Sequence, residues 1–264
     1  MKVYRDQIKR TLKLEQNPKR IISLVPSQTE LLFDLGLEDS IVGITKFCVH
    51  PYHLKSTKTI VGGTKEIKIE KIKMLQPDII LCNKEENTKE IVEACENVCE
   101  VHVSDIATID DCLALINQYG EIFNKRTEAL KISNKITFNL NDFKIFIKDK
   151  PVLKVAYFIW RKPWMVAGNN TFINYLLELN HFKNIYANIE RYPEIELKKI
   201  RLQGDPEVVL LSSEPYPFKD EHAFEIGRTS HHAKTIFVDG EYFSWYGSRL
   251  IKAFEYFKTL RSRL

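Results

Sequence analysis

The run from Arg126 to Lys148 constrains this chain more than any other stretch, because it is long, free of Gly and Pro, and soon followed by Pro151. Leu130, Ile136, Leu140, Phe143 and Ile147 recur, after a first gap, at three- to four-residue steps. That spacing paints one apolar stripe along a helix. At 1.5 Å per residue such a helix spans roughly 35 Å, about the width of a small domain. Pro151 cannot continue it, having no N–H to donate. Strand and helix patterns alternate on both sides of the run. The expectation is an α/β protein of two Rossmann-like lobes with mostly parallel sheets, joined by one long rigid helix. Its expected boundaries are residues 1–125 for the first lobe, 126–150 for the helix and 151–264 for the second lobe.

A chain of 264 residues with 44% hydrophobic and 28% charged residues can bury a real core and is not of disordered composition. The net charge of +4 arises from interspersed charges of both signs. It gives no case for a nucleic-acid partner. Five cysteines, Cys48, Cys82, Cys95, Cys99 and Cys112, are odd in number and contain no CxxC, unlike a disulfide framework. No apolar run approaches the roughly 20 residues of a membrane-spanning helix. The basic stretch Met1–Arg20 lacks the apolar segment of a secretory signal. The sequence as it stands therefore reads as cytoplasmic, unless a leader has been removed.

In chain order, residues 20–26, R-I-I-S-L-V-P, read as a buried strand. Ser27-Gln28-Thr29-Glu30 then reads as a capping box, with Ser27 capping a helix to Leu35 and Glu30 reaching back. A strand over residues 40–45 empties into Lys46-Phe47-Cys48-Val49-His50-Pro51, where an aromatic ring, a thiol and an imidazole fall within four residues. A short strand at Thr59–Val61 ends at Gly62-Gly63. A helix near residues 69–75, Pro77-Asp78 and the strand Ile79-Ile80-Leu81 follow. A helix over 86–95, a strand over 101–103 and a helix over 110–123 complete the lobe. The second lobe repeats this grammar. A strand over 154–159 ends in Trp160-Arg161-Lys162-Pro163-Trp164, and the turn 167–171 caps a helix over 172–179. A helix over 197–202 leads through Asp205-Pro206 into a strand over 207–211, echoing the segment that ends at Leu81. Glu214-Pro215-Tyr216-Pro217-Phe218 is a loop at that strand's end. A strand at 235–238 and a helix over 248–261 close the chain.

Strands separated by helical crossovers predict parallel sheets, whose ligands sit outside the carboxyl ends of the strands. Three aromatic-rich loops fall at such ends, at 47–51, 160–164 and 214–218. A ligand cleft between the lobes, walled by Phe47, Trp160, Trp164, Tyr192, Tyr216 and Trp245, is the simplest site they could share. The competing reading of the same rings is ordinary core packing. Cys48 and His50 suit a metal or the metal of a chelate, but no third ligand is identifiable, so no metal site is assigned. Arg161 and Lys162 could meet a phosphate or carboxylate. Cys95 and Cys99 read as semi-buried thiols, and His231-His232 as a solvated turn. No catalytic motif emerges, so no enzymatic activity and no intrinsic cofactor are expected.

The opening R-I-I-S-L-V-P-S-Q-T-E-L-L, the unit of a helix followed by P-D-I-I-L, and the single strut resemble the helical-backbone class of substrate-binding proteins. These serve ABC importers of cobalamin, ferric siderophores and haem. Gly43-Ile44-Thr45-Lys46-Phe47 and Tyr192-Pro193-Glu194 are most similar to the cobalamin-binding branch. The resemblance implies a protein clamping a corrinoid or related metal chelate, with ligand contacts from Phe47, Tyr192, Trp160, Trp245 and Arg249. The aromatic-rich loops add Cys48, His50, Trp164 and Tyr216 to the candidate ligand-binding set, and a monomer is expected. It also implies one exposed Glu per lobe for docking an ABC permease. Glu70 stands at the first place, and at the second Lys198 stands where the family has Glu, with Glu196 a turn away. The family is exported, which implies a periplasmic location if a leader was removed. A cytoplasmic chelate carrier is one alternative. A chelatase-like enzyme using Cys48, His50 and Glu214 is another.

Overall fold

The computed structural model describes every residue of the chain except His231. The backbone groups into two compact units, one of Met1–Phe138 with Trp245–Ile251 and the other of Asn139–Ser244 with Lys252–Leu264.

The first unit opens with a hairpin of β1 (Lys2–Arg5) and β2 (Thr11–Leu14), paired antiparallel. The Asp6 carboxylate accepts the N–H groups of Ile8 and Arg10 and shapes the turn. The elements that follow are β3 (Ile21–Ser23), α1 (Pro26–Asp34), β4 (Ile41–Ile44), α2 (Leu54–Thr57), β5 (Thr59–Ile60) and α3 (Ile69–Met74). After these come β6 (Ile79–Asn83), α4 (Lys89–Glu96), β7 (Glu100–Ser104) and α5 (Ile109–Ile122). The sheet runs in the order β5-β4-β3-β6-β7, and every neighbouring pair is parallel. β3 and β6 are buried along their whole length. That is why they read as mostly apolar runs rather than as alternating ones. Helix α5 starts with a true capping box between Thr108 and Asp111.

Helix α6 (Arg126–Ile147) runs without interruption from the first unit into the second. Ile136, Leu140, Phe143 and Ile147 are buried as the stripe requires. Leu130 is not: 55% of it is exposed, and Ala129 and Ile132 take the inward positions in its place. The gap of six residues between Leu130 and Ile136 had already broken the helical step.

The second unit contains β8 (Leu153–Trp160), β9 (Met165–Val166), α7 (Phe172–Leu179), β10 (Phe182–Asn184), β11 (Val208–Ser212), α8 (Asp220–Ser230) and β12 (Lys234–Val238). The short helix α9 (Glu241–Ser244) and α10 (Leu250–Ser262) end the chain. The strand order β10-β8-β11-β12 is parallel throughout, and β9 pairs antiparallel with β8. The place of β11 beside β8 repeats that of β6 beside β3, so the echo in sequence is an echo in topology. The expected helix over 197–202 is reduced to a single 3-10 turn, Leu197–Lys199. Gly204, at a φ of +146°, lies just beyond it. Each sheet carries its own apolar core, around Ile22, Ile80 and Val101 in the first unit and around Phe158, Val209 and Leu211 in the second.

Candidate functional site

In the first unit the loop after β4 stands at the carboxyl end of a parallel strand. Phe47 is 49% exposed there, with the Lys46 ammonium 5.0 Å from its ring centre. Gly63 lies beneath this ring, and a Cβ at that position would meet Phe47 Cε2 at 3.1 Å. Cys48 points the other way. It is fully buried, and its Sγ lies 3.1 Å from Thr29 Oγ1 and 3.3 Å from Thr45 Oγ1. Burial raises its pKa and keeps it a neutral thiol. Cys48 and His50 therefore do not present a thiolate and an imidazole on one face. Among the described residues no group of three or more His, Cys, Asp or Glu side chains is placed to hold a metal ion.

His50 instead packs edge-on against Trp245, with ring centres 5.4 Å apart. The Arg249 guanidinium lies 4.9 Å from the centre of the Trp245 ring. Arg249 in turn grips Glu30 in a two-pronged pair, Nε to Oε2 at 2.8 Å and Nη2 to Oε1 at 2.9 Å. Both partners are buried. The capping-box reading of Ser27-Gln28-Thr29-Glu30 is thereby corrected. Helix α1 begins two residues earlier, with Pro26 in its first turn and Val25 as N-cap, and no side chain caps it. Glu30 is spent on Arg249, far away in sequence. Its pKa is raised, because burial outweighs the arginine beside it.

The segment that carries Trp245 and Arg249 is fixed from below by a polar network. Gln28 Nε2 donates to Tyr246 Oη at 2.9 Å and to Ser104 Oγ at 2.7 Å, while Tyr119 Oη donates to Gln28 Oε1 at 2.8 Å. All four residues are buried. Such a network favours one position for the segment, since Gln28 and Ser104 both lose Tyr246 Oη if the segment shifts.

In the second unit Trp160 ends β8 and is 39% exposed. Its ring meets that of Tyr216 edge-on at 5.5 Å, and Tyr216 packs on Phe218 at 4.9 Å. Phe218 lies parallel to Trp164 at 6.1 Å. Trp164 and Tyr216 are half-buried against the core of this unit, so Trp160 presents the more open ring. Buried His222 supports the group. Its Nδ1 accepts the Lys219 N–H at 2.8 Å, which leaves the neutral ring's proton on Nε2, 3.3 Å from Tyr216 Oη. Arg161 is held by Glu225 through Nε at 3.1 Å and Nη2 at 2.8 Å, so the carboxylate it meets is one of the chain's own. Tyr192 is half-buried, with Arg191 5.7 Å from its ring centre. Each of the three aromatic loops contains one cis X–Pro peptide, at Pro51, Pro163 and Pro215.

Glu70 and Glu196 are both exposed, each paired locally, with Lys73 at 2.8 Å and with Lys199 at 2.7 Å. His231 lies outside the described residues, and His232 is exposed, 3.6 Å from Asp205. A cavity of about 650 Å³ in the first unit lies between the β1–β2 turn, α4 and the end of β7. Its charged walls are largely paired within themselves, Lys84 with Asp105 and Arg10 with Glu96. Phe47, His50 and Trp245 do not line it.

Sequence reasoning had named the aromatic residues but missed Glu30, Phe218 and His222 as their supports. Phe218 lay within the quoted loop and could have been found. Glu30 could not, because its partner has no local signature. Chemically, the two sets of loops offer open aromatic faces backed by buried rings and held cations. Such faces suit a large, flat, conjugated molecule better than a reacting small one.

A family model described as "Periplasmic binding protein" matches residues 21–235. An uncharacterized ABC transporter substrate-binding lipoprotein of Bacillus subtilis is 25% identical over 92% of this chain and 79% of its own length. The crystal structure of the periplasmic vitamin B12 binding protein of Vibrio cholerae superposes with a TM-score of 0.80. It is 19% identical, over 94% of this chain and 98% of that one. The periplasmic haem-binding protein of a Roseiflexus species, in its apo form, gives a TM-score of 0.81. It is 17% identical, over 93% of this chain and 98% of that one.

Proposed function

This chain belongs to the periplasmic binding protein family, and from that premise we propose that it is the substrate-binding component of an ABC importer of a metal chelate. The chelate we assign is a corrinoid, with haem and ferric siderophores as competitors. The observation that carries this reading is the placing of open aromatic rings at the carboxyl ends of parallel strands in each unit, Phe47 in one and Trp160 in the other. In this reading Phe47, His50, Trp160, Trp164, Tyr192, Tyr216, Trp245 and Arg249 form the ligand-binding set, and Cys48 serves it only from behind. The names of relatives that bind vitamin B12 and haem support the choice of ligand class.

Docking to a permease then falls to Glu70 and Glu196. Each is paired with an exposed lysine, and a surface pair of that kind is worth about 0–1 kcal/mol. A permease arginine can displace it. Glu196 supplies the negative charge that Lys198 lacks. The role places the protein on the outer side of the cytoplasmic membrane.

The test is direct. The purified chain is mixed separately with cobalamin, haem and a ferric siderophore, desalted, and read by its visible spectrum. Retained cobalamin colour, with an unaltered spectrum of the released ligand, is the expected result; loss of all three colours on desalting would end the proposal. Trp160→Ala is the cleaner site probe, because this ring is open and its removal spares the core. It is expected to weaken retention by about tenfold or more, from lost stacking and lost apolar area. Unchanged affinity in both Trp160→Ala and Trp245→Ala would remove the aromatic residues from the site.

A further inference from the structure

We propose that α6 is also a surface for lying on an anionic lipid bilayer, an interaction that goes beyond ligand binding and does not rest on it. The observation is an unpartnered apolar strip on the outer face of this helix. Leu130, Phe138 and Ile145 are 55%, 66% and 76% exposed. At 100° per residue they fall within about 80° of one another, on the side opposite the buried stripe. The remaining outward positions between them, Asn134 and Asn141, are neutral.

Both borders of the strip are basic. Arg126 and Lys144 lie along one edge, Lys131 and Lys135 along the other, and all four are exposed. Lys135 sits over the Phe138 ring at 5.3 Å, so charge and ring adjoin. The exposed acid of the helix, Asp142, is neutralised by Lys258. An apolar centre between two cationic rails is the pattern of a helix that rests in the headgroup layer, with its rings at the acyl boundary and its lysines on lipid phosphates. Spanning is not at issue, because no described helix is long and apolar enough to cross a membrane. A second copy of the chain fits poorly, since a symmetric face-to-face contact would bring cationic rails against one another.

The experiment is sedimentation of the full-length chain with phosphatidylcholine vesicles and with mixed phosphatidylcholine–phosphatidylglycerol vesicles. Binding to the mixed vesicles, about tenfold stronger than to the neutral ones and weakened by salt, is the expected result. Phe138→Ser with Ile145→Ser, and separately Lys131→Glu with Lys135→Glu, are each expected to lower that binding by about tenfold or more. Thermal melts followed by circular dichroism check that the variants fold. The charge pair, which leaves the apolar side chains of the strip in place, keeps the test open if the serine pair does not. Absence of binding to the mixed vesicles would overturn the proposal. So would equal binding by both variant pairs, or a dimer in solution that the serine pair abolishes.

Discussion

Glu30 is the residue on which the sequence was most misleading. Its spacing from Ser27 fits a capping box, and nothing nearby argues otherwise. Yet its carboxylate is buried against Arg249, and its pKa is raised because burial dominates. A raised folded-state pKa means that ionisation of Glu30 disfavours the fold. Its contribution is complete below the ordinary value of about 4.3 and is lost as pH rises through the folded value. Arg249 is what makes the ionised form tolerable at neutral pH. Arg249→Met is therefore expected to cost about 3–5 kcal/mol at neutral pH, and distinctly less in mild acid, where Glu30 takes up a proton. Urea denaturation at both pH values measures this, and an equal loss at each would show that the pair is not coupled as described. The aromatic residues were more legible. Phe47, Trp160 and Tyr216 could be named because their loops follow strands, whereas the inward turn of Cys48 depends on Thr29, a residue of another element.

At the scale of the element, periodicity read well where a helix or strand is long and poorly where it is short. The bounds of α6 agree with the apolar run to within a residue. The hairpin β1–β2 went unread, although Thr11–Leu14 alternates exposed and buried positions, because four residues are too few to outweigh a basic composition. The junction of α5 and α6 depends on a small residue. A Cβ at Gly120 would lie 2.6 Å from the Cβ of Ala129, so the two helices meet with almost no side chain between them. Gly120→Val is expected to lower stability by about 1–3 kcal/mol through overpacking. The helix propensity gained over glycine, less than about 1 kcal/mol, does not offset this. A shift in urea midpoint measures the effect, and an unchanged midpoint would show that α6 can move aside without loss.

For the molecule as a whole, the first unit is not a continuous piece of chain. Trp245–Ile251 returns to it from more than a hundred residues away. There it supplies Tyr246 to Gln28 and Ser104, Arg249 to Glu30, and the Gly247 N–H to Cys112 Sγ at 3.0 Å. A fragment ending at Phe138 would keep all five strands of the sheet but leave Gln28 and Glu30 without these partners. It is expected to unfold at a lower urea concentration than the intact chain and with weakened near-ultraviolet dichroism. Glu30→Gln should recover part of that loss by removing an unpaired buried carboxylate. A fragment as stable as the intact chain would show that the returning segment adds nothing to the unit.

The sequence alone determined the class of fold, the long helix and the loops that carry aromatic rings. These follow from the order of neighbouring residues: the apolar period, the proline stops and the rings placed just after strands. Tertiary structure alone decided the strand order, the burial of Cys48, the pairing of Arg161 with Glu225, and the hold of Glu30 on Arg249. The physical reason is distance along the chain. A helix is written in steps of three and four residues, but a carboxylate and a guanidinium 219 positions apart become partners only when folding has removed the water from both.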